Sequence, residues 1–431
     1  MNKLFKIIFL FLLITNCSLD NKSGFWTKET DLKNSKDVLD KIFINKKINT
    51  NEFNKNFKIR LTDLYISTNI STNSNNNYIS YEGELKKLSK YNFSKIDRFN
   101  EFEPEIIFNK NSLIFFDNKG SVLKFNNESK LVWKKNYYSK IEKKLNPILF
   151  MNQKDNILIV ADTISKYYAM KIDTGEIIWS KNNSSPFNSQ VKIHGDKFYI
   201  VDSENKLNCY SMKDGSKIWE LKTEKSFINS SQKLSIVISG ERLFFNNSLG
   251  DITSVDINNG NFLWQISTLK SSMYQDTFNL KTSILVTNDD AVLFSNNNNQ
   301  FYSINQKSGS INWIQEINSN LAPVIIGNLI FSVSLEGYLF LINNKDGNII
   351  RISNIFNHFK KKVKDKIQPV GFIMSSTKIY LATNNGKLLI IDVASGKTIT
   401  TLKIDKNKIS RPFISNKNFY IARDNSIIKL N

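Results

Sequence analysis

The stretch Ala169-Met170-Lys171-Ile172-Asp173-Thr174-Gly175-Glu176-Ile177-Ile178-Trp179 decides the fold, because degraded copies of it return along most of the chain. Two short apolar runs flank Asp-Thr-Gly, and a hairpin turn needs a residue that accepts a positive φ, which Gly supplies without steric cost. The Trp beyond that Gly lies on the outgoing strand, where its large face can pack on a neighbouring unit. The same spacing recurs from Gly215 to Trp219, Gly260 to Trp264 and Gly309 to Trp313. Weaker copies keep the frame: Ser129 holds the Gly place before Trp133, while Gly347 and Gly396 lead to Arg351 and Thr400 in the Trp place. The seven anchors at 133, 179, 219, 264, 313, 351 and 400 are spaced by 46, 40, 45, 49, 38 and 49 residues, room for four short strands and their turns. That period is the period of propeller blades. Trp133, Trp179, Trp219, Trp264 and Trp313 recur with the blades, so they read as inter-blade docking residues and not as a ligand cage.

Between the anchors each unit opens on a lead-in that often holds a Pro (Pro104, Pro147, Pro186, Pro323, Pro369) and continues into an apolar strand. Leu113-Ile114-Phe115-Phe116, Ile157-Leu158-Ile159-Val160 and Phe198-Tyr199-Ile200-Val201 are typical: rich in β-branched and aromatic residues, and too short for helices. After Thr400 the chain supplies three more strands, in Arg411–Ile414, Phe419–Ala422 and Ser426–Leu430. The missing outer strand must come from elsewhere, and Gly83 to Phe93 lies just before the first complete unit. Joining the two would close the ring and protect open edges. The expectation is an all-β chain: an eight-bladed β-propeller of four-stranded blades, closed by an N-terminal strand in the last blade.

The start of the chain reads differently. Lys3 and Lys6 precede the apolar run Ile7 to Ile14, too short for a stable membrane span. Leu13-Ile14-Thr15-Asn16-Cys17 resembles the lipobox of bacterial lipoproteins, with Asn16 where Gly or Ala is commoner. Residues 1–16 are therefore expected to be a signal peptide with Cys17 as the acylated residue, residues 17–83 a lipid-anchored tether with loops, and residues 84–431 the propeller domain. The tether includes the low-complexity Asn73-Ser74-Asn75-Asn76-Asn77. Trp26, close to the anchor, either touches the bilayer interface or caps the propeller. With Cys17 lipidated, Cys209 has no intrachain partner and reads as a small apolar strand residue.

A formal charge of +20 raises nucleic acid as a partner, but only six of the 59 basic residues are Arg and the Lys residues are spread along the chain, which argues against it. A diffuse basic surface suits anionic lipid headgroups instead. Catalytic machinery is not apparent. His194 and His358 fall in different blades, so no His-rich metal site can be built. Asp173, Asp214, Asp256 and Asp346 lie at hairpin turns, where Asp bonds local backbone amides. No enzyme, no metal and no cofactor is expected from these residues.

At this point the chain resembles a known group. Ala169 to Trp179 is similar to the tryptophan-docking repeat of propellers related to pyrroloquinoline-quinone (PQQ) enzymes, with Lys171 where that repeat usually has Asp. A sharper resemblance is to the BamB family, lipoproteins of the outer-membrane β-barrel assembly machinery. It is carried by the lipobox, by the eight-blade count with terminal closure, and by Glu336-Gly337-Tyr338-Leu339-Phe340-Leu341-Ile342-Asn343-Asn344-Lys345-Asp346-Gly347, which is similar to a late blade of that family. It covers about residues 84 to 431. The resemblance implies a non-catalytic scaffold, lipid-anchored at the periplasmic face of the outer membrane, that binds the POTRA domains of the insertase BamA and meets other subunits of the assembly complex. Ser18 after Cys17 favours that membrane, since an Asp there signals retention at the inner one. In the family, contact is made by loops entering the middle blades, with an apolar pair next to Arg in one and an acidic pair in the next. The corresponding stretches here read Ser226-Phe227-Ile228-Asn229 and Asn279-Leu280-Lys281, so Phe227 and Ile228 are the expected partner-binding pair, while the Arg and both Asp are missing. Two alternatives share the architecture. One is a PQQ-dependent dehydrogenase-like enzyme, a class that is usually longer and carries adjacent Cys residues and acidic metal ligands. The other is an envelope propeller that binds cell-wall material or another lipoprotein.

Overall fold

The computed structural model describes residues 51–59, 61, 74–102, 104–224, 233–268 and 280–431, all within the unit Ile48–Asn431. Cys17, Trp26, Phe227 and Ile228 lie outside the described residues. Among those described, the strands form eight separate four-stranded antiparallel sheets. Seven are sequential: blade 1 (107–135), blade 2 (149–182), blade 3 (192–222), blade 4 (236–266), blade 5 (286–315), blade 6 (324–354) and blade 7 (369–403). The eighth sheet is composite, as the chain ends predict. Lys87–Asn92 pairs antiparallel with Ser426–Leu430, with Tyr91 opposite Ile427, and Leu85 N–H extends the pairing to the Asn431 carbonyl at 2.7 Å. First strands of neighbouring blades touch one another, so they surround the axis and the fourth strands form the rim. Two one-turn helices, Lys140–Lys144 and Lys361–Lys364, sit in connections between blades.

Each rim strand carries a β-bulge at one fixed place. In blade 2, Met170 pairs with Ile177 but Ala169 pairs with Trp179, which leaves Ile178 unopposed. The same shift falls one residue before the docking position in the other six sequential blades. A bulge re-aims the side chain that follows it. Here the extra residue faces solvent, as Val132 and Ile178 do, and the Trp turns toward the next blade.

What the Trp meets there explains the repeat. The Trp179 indole Nε1 donates to the Met212 carbonyl of blade 3 at 2.9 Å, and its ring lies on the turn residue Gly215. That residue has φ +69°, and a Cβ added to it would stand 2.6 Å from the ring. Glycine is required twice over, by the turn and by the neighbour. The ring-on-turn contact recurs from Trp219 to Gly260, Trp264 to Gly309 and Trp313 to Gly347. Trp133, Trp264 and Trp313 also donate to carbonyls of the next blade, those of Ile172, Gln306 and Asn344. Trp219 departs from this: its Nε1 has no acceptor among the described residues, and the equivalent carbonyl, Ile257, accepts the Tyr199 hydroxyl at 3.1 Å.

The weaker copies have physical reasons of their own. Arg351 in the Trp place of blade 6 is fully buried. Its guanidinium donates to Val393 at 3.0 Å and Ala394 at 2.5 Å in the turn of blade 7, and to Phe57 at 3.0 Å in an N-terminal segment that crosses this rim. Thr400 is exposed. The junction it would have bridged carries the Arg423–Asp405 ion pair at 2.8 Å. At the last junction, the bulge in the closing strand places Ser89 in the docking position, opposite a turn in which Ser129 takes φ +62°. A side chain of Ser size leaves room for the Cβ of Ser129, and Lys429 Nζ bonds Asn127 Oδ1 across this junction at 2.8 Å.

These contacts set an expected outcome for two glycines of similar backbone conformation. Gly195 has φ +61° and nothing within 4 Å of where a Cβ would stand, whereas Gly215 has the Trp179 ring there. Gly195→Ala should cost about 1 kcal/mol of left-handed backbone strain, and Gly215→Ala about 3 kcal/mol once overpacking is added. Urea unfolding measures both, and equal losses would show that the ring-on-turn contact is not what demands the glycine.

Candidate functional site

Most residues singled out in the sequence fall into structural roles. Cys209 is buried on the third strand of blade 3, with its thiol pushed up to about 12 chiefly by burial. His194 is exposed beside its turn. His358 lies on a connection, its Nε2 3.0 Å from Thr401 Oγ1, and its basicity is lowered by partial burial and by Lys387 and Lys364. Asp214, Asp256 and Asp346 accept backbone N–H groups within their own turns. Asp173 differs, since it accepts from the Asn156 side chain at 2.9 Å. Leu280 is buried against Gly250, and the Lys281 backbone N–H is bonded to Asn297 Oδ1 at 2.7 Å. The expected partner pair Phe227 and Ile228 falls outside the described residues, in the connection between blades 3 and 4. Among the described residues no group of His, Cys, Asp and Glu could hold a metal ion, and no helix is long and apolar enough to cross a membrane.

The axis carries the structure that sequence reading missed. First strands present an open edge to the channel, and every N–H and C=O there needs a partner. Residues 74–79, part of the stretch expected as tether and loops, run along these edges. Thr287 N–H of blade 5 donates to the Ser74 carbonyl at 3.2 Å. Asn75 Nδ2 donates to Ile236 of blade 4 and to Leu285 beside blade 5, at 3.0 and 2.9 Å. Asn76 pairs both ways with Ile325 of blade 6, donating at 2.8 Å and accepting at 3.1 Å. Asn77 and Ile79 pair through their backbones with Met374 of blade 7. An Asn side chain is a peptide group on a short stem, with donor and acceptor side by side, so a run of Asn meets one open edge after another.

On the side of the closing blade and blades 1 to 3, a cavity of about 690 Å³ remains. Phe108, Met151 and Phe413 give it apolar walls, and Asn75, Asn152 and Lys192 give it polar ones. Among the described residues, Glu105, Lys192 and Arg411 line it from the lead-ins and first strands of different blades, and Lys233 joins them through Glu105. Glu105 is held by Lys233 at 2.9 Å and by Gln190 Nε2 at 2.9 Å. Burial would raise its pKa, but Lys233 and these hydrogen bonds hold it below the ordinary value. Lys192 Nζ donates to Asn75 Oδ1 at 2.5 Å. Burial brings the Lys192 amine down to about 7, against the pull of Glu105 and with further repulsion from Lys233 and Arg411. The Arg411 guanidinium lies 4.2 Å over the Phe413 ring and donates to Asn77 Oδ1 at 3.4 Å. These residues share no spacing signal, since only ring closure brings blades 8, 1, 3 and 4 to one axis.

Taken together, bulged rim strands, Trp-on-turn docking and an occupied axis define an eight-bladed propeller of the PQQ-like repeat class. Residues 118–353 match the family model described as outer membrane protein assembly factor BamB, and the chain belongs to that family. It is 22% identical over 223 residues to outer membrane protein assembly factor BamB of Legionella pneumophila, covering 50% of this chain and 52% of that one. It is 22% identical over 257 residues to the protein of the same name from Shewanella oneidensis, covering 55% and 59%. The chain thus spans between about half and three-fifths of the length of these relatives. The crystal structure of BamB from Moraxella catarrhalis superposes with a TM-score of 0.65 at 14% identity, over 80% of this chain and 99% of that one, a likeness of fold.

The buried Lys192 makes stability depend on pH in a definite direction. Its folded pKa of about 7 lies below the roughly 10.4 of an unfolded lysine. Between those values the unfolded chain holds the extra proton, so stability rises with pH across this window and the penalty is fully present below it. The urea midpoint of the parent should therefore rise relative to that of Lys192→Met between about pH 7 and 9. Parallel profiles would show that the amine stays charged in the fold.

Proposed function

We propose that this chain is a non-catalytic scaffold lipoprotein, anchored through acylated Cys17 at the periplasmic face of the outer membrane. There it binds the POTRA domains of BamA within the β-barrel assembly complex, beside the other subunits. The observation that carries this reading is the family match over residues 118–353 on a ring of eight blades. A propeller holds its blade-to-blade connections on a rigid frame, so a partner is bound without ordering a flexible surface at each encounter. Phe227 and Ile228, between polar Ser226 and Asn229, supply the apolar anchor that a wet interface needs. Leu280, in the second loop of the expected contact, is spent on internal packing. The direct experiment is a pull-down with the tagged full chain from solubilised envelopes: recovery of BamA supports the reading, and an envelope partner set without BamA removes it.

Two sets of substitutions follow. Phe227→Asp and Ile228→Asp should each weaken binding to purified POTRA domains about tenfold or more, the size of losing a central contact worth about 1.4 kcal/mol, while the thermal midpoint stays near that of the parent. A sharp fall in midpoint would place both side chains in the blade core. Cys17→Ser should move the protein from the membrane fraction to the soluble or unprocessed one. Equal membrane recovery of both forms would show that attachment does not go through this thiol.

A further inference from the structure

We propose that the face carrying the blade-to-blade connections rests on an anionic phospholipid surface, with Ile141 and Leu145 reaching into it and Lys140, Lys144 and Lys360 to Lys362 meeting its headgroups. Every fourth strand ends, and the following first strand begins, on this face, so the one-turn helices Lys140–Lys144 and Lys361–Lys364 stand on the same side of the ring. Among the described residues, the other exposed large apolar side chains lie on rim strands or on the N-terminal segment. Only Ile141 and Leu145, 75% and 58% exposed, stand on a face. Positions four apart share one side of a helical turn, so the two are presented together, with Lys140 and Lys144 exposed alongside. The turn is held firmly: Ser139 and Glu142 form a capping box, Glu142 pairs with Lys166 at 2.8 Å, and Asn146 Oδ1 accepts from Lys119 at 2.9 Å. An apolar pair on a fixed turn with lysines beside it suits the boundary between headgroups and acyl chains. The other connection carries Lys360, Lys361, Lys362, Lys364 and Lys366 against Asp365, and Lys360 to Lys362 are exposed. Carboxylates of this face are engaged elsewhere: Asp117, Asp162 and Asp202 are buried under backbone amides of their own turns, and Glu142 and Asp405 are in ion pairs. On the opposite face, lysines at the hairpin turns stand beside acids, as in Lys130–Glu128 at 3.0 Å and Lys154–Asp155 and Lys171–Glu176 at 3.9 Å. Positive charge is thus concentrated at the two connections, and each lysine near an anionic leaflet adds to the attraction. Blades 7, 8 and 1 separate them, so a plane meets both where a small ligand meets one. A nucleic acid would use the lysines but leave Ile141 and Leu145 in water. The proposal extends the reading of a membrane-anchored chain by a contact that does not go through Cys17.

The test is co-sedimentation of residues 17–431, made without an acyl group, with vesicles of phosphatidylcholine alone or with about 30% phosphatidylglycerol. That chain keeps the whole unit Ile48–Asn431. It should bind the anionic vesicles, leave the neutral ones, and let go as salt rises. Ile141→Ser with Leu145→Ser should weaken binding about tenfold or more, and so should Lys360→Glu with Lys361→Glu and Lys362→Glu, while both variants keep the thermal midpoint of the parent. Lys213→Glu with Lys345→Glu and Lys397→Glu makes the same change of charge at turns of the opposite face and should leave binding close to that of the parent. Absence of binding to anionic vesicles overturns the proposal, as does an equal loss in the opposite-face variant, which would show that net charge alone governs. A loss in the lysine variant without one in the Ile141 and Leu145 variant removes the apolar tip and with it the proposal. If the Ile141 and Leu145 variant binds vesicles normally and POTRA domains poorly, the tip belongs to a protein interface instead. The chain tested carries no acyl group and meets no BamA, so failure here leaves the anchor and partner reading standing, and failure of that reading leaves this contact standing.

Discussion

An indole of one blade resting on the turn glycine of the next is the contact on which the rest of the ring depends. It needs three things in fixed relation: a bulge that turns the Trp out of its own sheet, a glycine without a Cβ, and a carbonyl to take the indole N–H. Each is local in sequence, yet of the three only the glycine, through its own turn, has a use inside a single blade. A propeller is stabilised by such nearest-neighbour interfaces, much as a linear repeat protein is, and losing one Trp face of this kind costs about 3 kcal/mol or more.

Where the repeat departs from this rule, another part of the chain has arrived. Trp has one donor, and Arg has five in a planar fork. At position 351 the fork serves three carbonyls at once, two from blade 7 and one from Phe57. Beside it Phe53 and Ile352 exchange both backbone hydrogen bonds, so a short piece of the N-terminal segment lies against this rim. The substitution is the trace of that crossing. At the two junctions around the composite blade no Trp rests on a turn glycine: an ion pair and a lysine–amide bond stand there, beside the ring contacts Tyr380–Phe419 and Phe108–Tyr420.

The fold was legible because its signal is periodic and short-range. Gly and Trp at fixed spacing, apolar runs of strand length and a blade one strand short at the C-terminal end were enough for eight blades and their closure. Some of it was not legible. The second strand of blade 5, Ala291–Asn296, is hidden between Asp289-Asp290 and an Asn run, so its composition reads as loop. The buried carboxylates Asp117, Asp162 and Asp202, which each accept two backbone amides at the turn between second and third strands, form a further periodic series that the hairpin glycines do not reveal. The axial residues could not be found this way at all. Glu105, Lys192, Lys233 and Arg411 are ordinary in their own segments, and the Asn run reads as low complexity until the open strand edges that it satisfies are known.

The composite blade also sets an order of events. Its outermost strand, Lys87–Asn92, pairs with Ser426–Leu430, so a strand made before every other strand of the ring waits for the one made last. Contacts between residues so far apart in sequence are slow to form, because the chain between them must first give up its freedom. Seven blades can stack on one another as they emerge, but the arc remains open until Ser426–Leu430 is available. A chain stopped short by even that much would hold most of its native contacts and still display two raw sheet edges, a shape better suited to recruiting a second unfinished chain than to working alone.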